Sequence, residues 1–229
     1  GFYLKGEFII NSEKHTSELS FINKSKILKF DNNRIKKIRE YIAKIKIVLY
    51  NPNDIYLVNE GPLYRRTFVN IILSKLYVEY YVSLREYFKL LDEKRAALKN
   101  FVAKKISFDI LETLNERLAT AAAVLIFNRW KFVNEFSDIF YLKFANIMQR
   151  NYSLHFKYAT NCINLQNYCA KDLISAKILF EEIKFKFNKI LAAEIKFGKI
   201  MHGPQTDDFV ITNNGGNIKH FFSQGEKKS

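Results

Sequence analysis

Ser223-Gln224-Gly225-Glu226 combines a small hydroxyl donor with a glycine two residues further on. That pairing suits a phosphate: the hydroxyl donates to an anionic oxygen, and glycine lets a main-chain N–H approach with no Cβ in the way. Other polar clusters offer less. Asp207 and Asp208 are adjacent, so in an extended segment their carboxylates point to opposite faces, and a structural or turn-capping role fits at least as well as a metal. His155, Cys162 and Cys169 recur every seven residues, but a zinc site needs four ligands in closer pairs. The alternation of Tyr152, Leu154, Phe156 and Tyr158 reads as a strand, which takes His155 off any helix and leaves two buried thiols as the simpler expectation. Glu181-Glu182 reads as a solvated helix face. No serine has a base and an orienting partner in view, and neither His-Glu-x-x-His nor Cys-x-x-Cys occurs, so a self-contained hydrolase is not expected.

A second chemistry is offered by the basic residues. Arg34, Lys36, Lys37 and Arg39, with Lys44 and Lys46, crowd one short stretch, and Arg65-Arg66 forms a second pair. The chain of 229 residues carries a formal charge of +14 and a pI near 9.6, which implies salt-sensitive attraction to polyanions without identifying which. Heavy use of Lys, Asn, Ile, Phe and Tyr also fits an AT-rich genome, and that bias accounts equally well for much of the charge. Solvated surface charge explains the lysines better than the arginines, although Arg65-Arg66 could pair with carboxylates inside the fold. Two cysteines and no secretory apolar region exclude a disulfide scaffold, and no apolar run reaches the roughly 20 residues that span a bilayer. A cytoplasmic protein without membrane contact is expected.

The elements that must position these residues fall into β, α and β parts. Phe2, Leu4, Phe8 and Ile10 alternate as a strand, Asn11-Ser12-Glu13-Lys14-His15 is turn-like, and Leu19–Phe21 and Ile27–Phe30 supply the next two strands before Asp31-Asn32-Asn33. A basic helix is expected from Arg34 to about Ala43, then a buried strand over Ile45–Leu49, which Pro52 helps to close. Pro62 opens a helix through Phe68, Ile71 and Lys75. Tyr77, Tyr80, Tyr81, Leu84, Phe88 and Leu91 mark one face of a second helix. In a third, Leu111, Leu118, Leu125, Phe132 and Ile139 recur every seven residues, which predicts antiparallel helix packing. Two more helices are expected, from about Asp172 to Phe187 and from Asn188 to Phe197, broken by Gly198 and Gly203-Pro204. Asn213-Asn214-Gly215-Gly216 lies between apolar runs and predicts a hairpin that delivers Ser223 to the surface.

Ser-Gln-Gly-Glu after such a hairpin resembles the signature loop of ABC/SMC-type ATPase heads. His202-Gly203-Pro204-Gln205-Thr206-Asp207-Asp208-Phe209 is similar to the G-P-H-[RK]-D-D-hydrophobic stretch of the RecF family of bacterial DNA replication and repair proteins. Tyr50-Asn51-Pro52-Asn53-Asp54 and Glu60-Gly61-Pro62-Leu63-Tyr64-Arg65-Arg66-Thr67-Phe68 resemble that family's S-P-x-D and G-[SP]-x-x-R-R-x-F pair. Ala96-Ala97-Leu98-Lys99 and Arg129 match in order. Gln205, Thr206, Asn70, Glu93-Lys94-Arg95 and Glu226 depart from the family pattern. Neither G-x-x-x-x-G-K-[ST] nor a Walker B run of four apolar residues plus Asp occurs in the 229 residues.

The resemblance implies an α/β (α+β) partial ABC/SMC-type ATPase head with an inserted, mostly helical lobe. Residues 1–60 would belong to the head, 61–149 to the helical lobe, and 150–229 to the head again, ending in the hairpin and signature loop. It implies ATP-dependent binding of single-stranded and double-stranded DNA, including gaps and junctions, in support of recombinase loading, replication and the SOS response. ATP and Mg²⁺ are the implied cofactors; an ATP-dependent homodimer and mediator proteins of the RecO/RecR type are the implied partners. Ser223, Gln224, Gly225 and Glu226 would contact the nucleotide in trans, and Arg34, Lys36, Lys37, Arg39, Arg65 and Arg66 would contact DNA. Lacking both Walker motifs, the chain reads as an incomplete copy that neither binds ATP tightly nor hydrolyses it alone, with no catalytic residue and no metal site of its own. The alternatives are a different ABC/SMC-like ATPase head or a helical interaction protein without catalysis.

Overall fold

A computed structural model describes residues 1–37, 40–41, 51, 56–148, 154–168, 175–213 and 215–218. The chain forms two compact units, Gly1–Leu49 and Tyr50–Ser229. The first is an antiparallel meander in the order β1 (Phe2–Ile10), β2 (Glu13–Ile22), β3 (Ser25–Phe30), β4 (Asn33–Arg34). Its three turns are Asn11-Ser12, Asn23-Lys24 and Asp31-Asn32, with positive φ at both residues of each. This is the mirror-image turn whose twist matches paired strands. Register places Phe2, Leu4 and Phe8 opposite Phe21, Leu19 and His15 on one face. On the other face, Lys5 and Lys14 pair with Glu7, and Lys29 pairs with Glu18. The expected basic helix does not begin at Arg34. The Asp31-Asn32 turn makes a further hairpin, so Arg34 pairs with Lys29 in β4, and Lys36 and Lys37 follow in a bend; Glu40 and Tyr41, within the expected span, are helical. The strand expected over Ile45–Leu49 lies outside the described residues.

The second unit begins with the short α1 (Tyr56–Asn59), α2 (Pro62–Leu76) and α3 (Val78–Val102). Pro62 stands in the first turn of α2, where its missing N–H costs nothing. Helix α4 (Phe108–Met148) has 41 residues and so runs roughly 60 Å. Its first half packs Leu111 against Ala97, Leu98 and Leu191, and its second half sets Phe136 and Phe140 against Phe156. Leu111, Leu118 and Leu125 are fully buried, but the seven-residue seam does not persist: Ile139 is 55% exposed. A straight α-helix drifts about 20° per seven residues. The buried line instead follows eleven-residue steps through Leu111, Ala122, Val133 and Phe144.

Strand β5 (Leu154–Ala159) pairs antiparallel with β6 (Asp208–Asn213), which pairs with β7 (Gly216–Asn217). The expected hairpin is present, with Gly215 at positive φ. Between β5 and β6 lies α5 (Ala176–Phe197), one continuous helix where two were expected. Asn188, the expected break, is held in the helix because Asn115 Nδ2 donates to both its side-chain oxygen and the Phe187 carbonyl. Gly198 ends α5 in the left-handed conformation.

Candidate functional site

The sequence motifs converge on the segment leading into β6. Arg129, on the buried face of α4, is 1% exposed. Its Nη1 donates to Asp207 Oδ2 at 2.7 Å and to the Pro204 carbonyl at 2.8 Å. Its Nη2 donates to Asn70 Oδ1 at 3.0 Å and its Nε to the Tyr80 hydroxyl at 3.1 Å. Tyr80 donates in turn to Asn70, and Tyr158 on β5 donates to Asp207. A planar guanidinium with five fixed donors meets such a ring of acceptors as no lysine could.

Burial pushes the Asp207 carboxyl upward, against the opposing pull of Arg129, Tyr158 and Thr160. Burial disfavours the charge on Arg129, but the oxygens of Tyr80, Tyr158 and Asp207 outweigh it and hold the guanidinium above its usual value.

Two further clamps flank this one. Arg65 on α2 grips Asp208 through Nε at 2.8 Å and Nη2 at 3.1 Å, while its Nη1 donates to the Glu60 and Leu57 carbonyls. Arg66 donates to the Asp207 carbonyl at 2.6 Å. Lys94 on α3 meets Glu194 on α5 at 2.5 Å, both side chains almost completely buried, and the other Glu194 oxygen accepts the Met201 N–H at 2.8 Å. Burial lowers the Lys94 ammonium, with Glu194 opposing. Between the clamps, Tyr87 donates to Gln205, and Gln205 Nε2 donates to the His202 carbonyl at 3.2 Å.

The structure therefore turns Arg65 and Arg66 inward, onto the carboxylate of Asp208 and the main chain of Asp207. Arg34, Lys36 and Lys37 are exposed. Arg39 and the whole of Ser223-Gln224-Gly225-Glu226 lie outside the described residues, as does Cys169. The last described residue before the loop, Ile218, is buried against Phe144 and Leu154. Sequence reasoning singles out Arg129, Asp207 and Asp208 but misses Lys94, Glu194, Tyr87 and Tyr158 as members of the site. A signal exists: Lys94 and Glu194 each interrupt an apolar stripe, Tyr87-Leu91-Lys94-Leu98 and Phe187-Leu191-Glu194.

Among the described residues no three His, Cys, Asp or Glu side chains cluster to hold a metal, and no helix is long and apolar enough to cross a membrane. Cys162 is buried, and burial pushes its thiol up to about 12. Only the thiolate attacks an alkylating agent. At pH 8, iodoacetamide should modify Cys162 at least about 100-fold more slowly in the native than in the urea-unfolded chain. Peptide mass mapping separates it from Cys169, and equal rates would show that the burial is wrong. The sign for stability follows. Between about pH 9 and 12 the unfolded chain loses this proton while the native state keeps it, so Cys162 makes stability fall as pH rises through that window.

No protein-family model matches the chain. Its sequence is 29% identical over 220 residues to the DNA replication and repair protein RecF of Alkaliphilus oremlandii, covering 96% of this chain and 58% of that protein. It is 29% identical over 196 residues to RecF of Clostridium kluyveri, covering 86% and 50%. The fold overlays on the recombination mediator protein RecF bound to ATPrS in the RecFOR pathway with a TM-score of 0.83, at 25% identity, over 99% of this chain and 59% of that one. The ATP-bound RecF structure gives 0.81 at 26% identity. The fold is thus a mixed helix-and-sheet arrangement of the ABC ATPase type. In both sequence and fold the chain is similar to RecF. It spans about half to three fifths of the length of the curated relatives it matches.

Proposed function

We propose that this chain serves DNA replication and repair as a RecF-like, ATP-dependent DNA-binding protein of the cytoplasm. It would support recombinase loading and the SOS response with partners of the RecO/RecR type. The single observation that carries the reading is the likeness to nucleotide-bound RecF along 99% of the chain. The division into residues 1–60, 61–149 and 150–229 is retained as its functional anatomy. Ser223 would donate its hydroxyl and Gly225 its main-chain N–H to γ-phosphate oxygens of ATP held by a second subunit, bonds strengthened by the anionic charge. Gln224 would steady the loop and Glu226 orient it. ATP supplies the triphosphate, with Mg²⁺, that joins two subunits.

The test is a chimaera in which this chain replaces the matching segment of Alkaliphilus oremlandii RecF. ATP should drive its dimerisation in sedimentation velocity. Ser223→Arg should abolish that dimer, by at least about 100-fold in dimer affinity, if a trans contact of this kind is lost and a bulky side chain added, while binding of ATP to the monomer persists. A dimer that survives the substitution overturns the assignment. The 229-residue chain by itself should show no Mg²⁺-dependent ATP hydrolysis above a mock purification, because it lacks the phosphate-cradling loop and lysine that such chemistry needs.

DNA contact is proposed to run through phosphates, with no sequence preference. The exposed Arg34, Lys36 and Lys37, with Arg39 close by in sequence, are the groups that would neutralise phosphates. Arg65 and Arg66 already have internal partners. Each neutralised phosphate steepens the fall of log affinity with log salt by about 0.9. Replacing Arg34, Lys36 and Lys37 together by alanine should weaken binding to a duplex of any sequence and flatten that slope by about 2–3. An unchanged slope in fluorescence anisotropy would remove these residues from the DNA surface.

A further inference from the structure

We infer that Arg129 is a positioning residue for the β6–β7 hairpin, tying its root to the helices so that a shift of α2, α3 or α4 is delivered to residues 208–217. The inference deepens the nucleotide reading, on which its functional meaning rests, because that hairpin precedes Ser223-Gln224-Gly225-Glu226. The geometry is specific. One guanidinium holds Asn70 of α2, Tyr80 of α3, the Pro204 carbonyl and the Asp207 carboxylate, and itself belongs to α4. Asp207 is the residue immediately before β6 and is also gripped by Tyr158 of β5 and, at its carbonyl, by Arg66 of α2. The neighbouring Asp208 is fixed to α2 by Arg65. A buried charge fixed by several directional hydrogen bonds in a close-packed interior has discrete arrangements rather than a soft continuum. A shift of α4 must therefore either break the Arg129–Asp207 pair or carry the root of the hairpin with it.

A residue that merely filled the core would behave otherwise. Its loss would lower global stability and loosen every amide in proportion. Arg129 sits where α4 meets β6, and a second set of contacts, the Lys94–Glu194 clamp with Leu98 and Leu191, holds α3 to α5 without it. The hairpin root and the α3–α5 contact thus have separate anchors.

Hydrogen–deuterium exchange on the 229-residue chain tests the assignment. Arg129→Lys keeps the charge and loses the planar fork. It should raise exchange in peptides covering 208–217 by at least about tenfold, with peptides covering 88–98 and 183–194 changed less than about twofold. Tyr80→Phe, which removes only the hydroxyl that receives the Arg129 Nε–H, should give the same pattern at smaller size and serves if Arg129→Lys does not fold. Leu118→Val, in the same helix, is the control: it should raise exchange across the whole unit. Should the Arg129 and Tyr80 variants reproduce the control's uniform pattern, or leave residues 208–217 unaltered, the positioning role is overturned. No nucleotide is present in this experiment. Failure of the ATP reading, seen as a Ser223→Arg chimaera that still dimerises, therefore leaves the exchange result intact and the two failures are distinguishable.

Discussion

Lys94→Met is expected to destabilise the protein by about 3–5 kcal/mol, because it leaves the Glu194 carboxylate charged inside the core with no cation beside it. The ammonium lies 2.5 Å from Glu194 Oε2 and 5.6 Å from the centre of the Phe187 ring, so its loss also removes a cation–π contact. Glu194→Gln should cost less than the lysine change, since the amide oxygen can still accept the Met201 N–H, but it strands Lys94 in a site where burial already lowers its ammonium. The double variant Lys94→Met/Glu194→Gln should recover at least about 2 kcal/mol relative to the sum of the single changes, because it removes both buried charges at once. Urea unfolding of the four proteins measures the cycle. Strict additivity, or a Lys94→Met cost below about 1 kcal/mol, would mean that water reaches the pair.

That pair also shows what can be read from the sequence and what cannot. The helices of the second unit are visible because apolar residues recur at three-and-four spacing over long runs, and that local pattern is what drives them. Lys94 and Glu194 are equally visible as lone charges within such runs, yet nothing local says that two residues 100 positions apart meet. The same limit applies to Arg65 and Asp208. Each is named by its motif, and only the fold shows that Arg65 meets the Asp208 carboxylate and Arg66 the main-chain carbonyl of Asp207.

Three departures from the expected local structure each have a physical cause. Charge and spacing favour a helix at Arg34, but Asp31-Asn32 tolerates the left-handed conformation and turns the chain into another strand. Asn188 has poor helix propensity, yet Asn115 from α4 supplies a hydrogen bond that keeps α5 whole. Ile139 fits a seven-residue repeat that a straight helix cannot sustain over its full length.

Gly203→Ala is expected to cost about 3–5 kcal/mol, in contrast to about 1 kcal/mol for Gly198→Ala, although both glycines have positive φ. Gly198 has φ +64°, an ordinary left-handed helix end, and a Cβ added there meets nothing within 4 Å. Gly203 has φ +143° with ψ 167°, a conformation essentially closed to other residues, and its Cβ would overlap the Tyr87 hydroxyl and Gln205 Oε1. The tyrosine is fully buried and cannot swing away, so the Tyr87–Gln205 hydrogen bond must break or the main chain must move. Moving the chain is also costly, because the next carbonyl, that of Pro204, is held by Arg129 at 2.8 Å. The two contributions can be separated. Tyr87→Phe removes one of the two overlapping oxygens and releases the Gln205 side chain, which the hydroxyl had held, to turn aside, so Gly203→Ala on a Tyr87→Phe background should cost mainly the conformational part, about 1–3 kcal/mol. Thermal and urea unfolding of the four combinations measure this. Equal costs for Gly203→Ala on both backgrounds would leave the Tyr87 hydroxyl without a part in setting the path of residues 202–206.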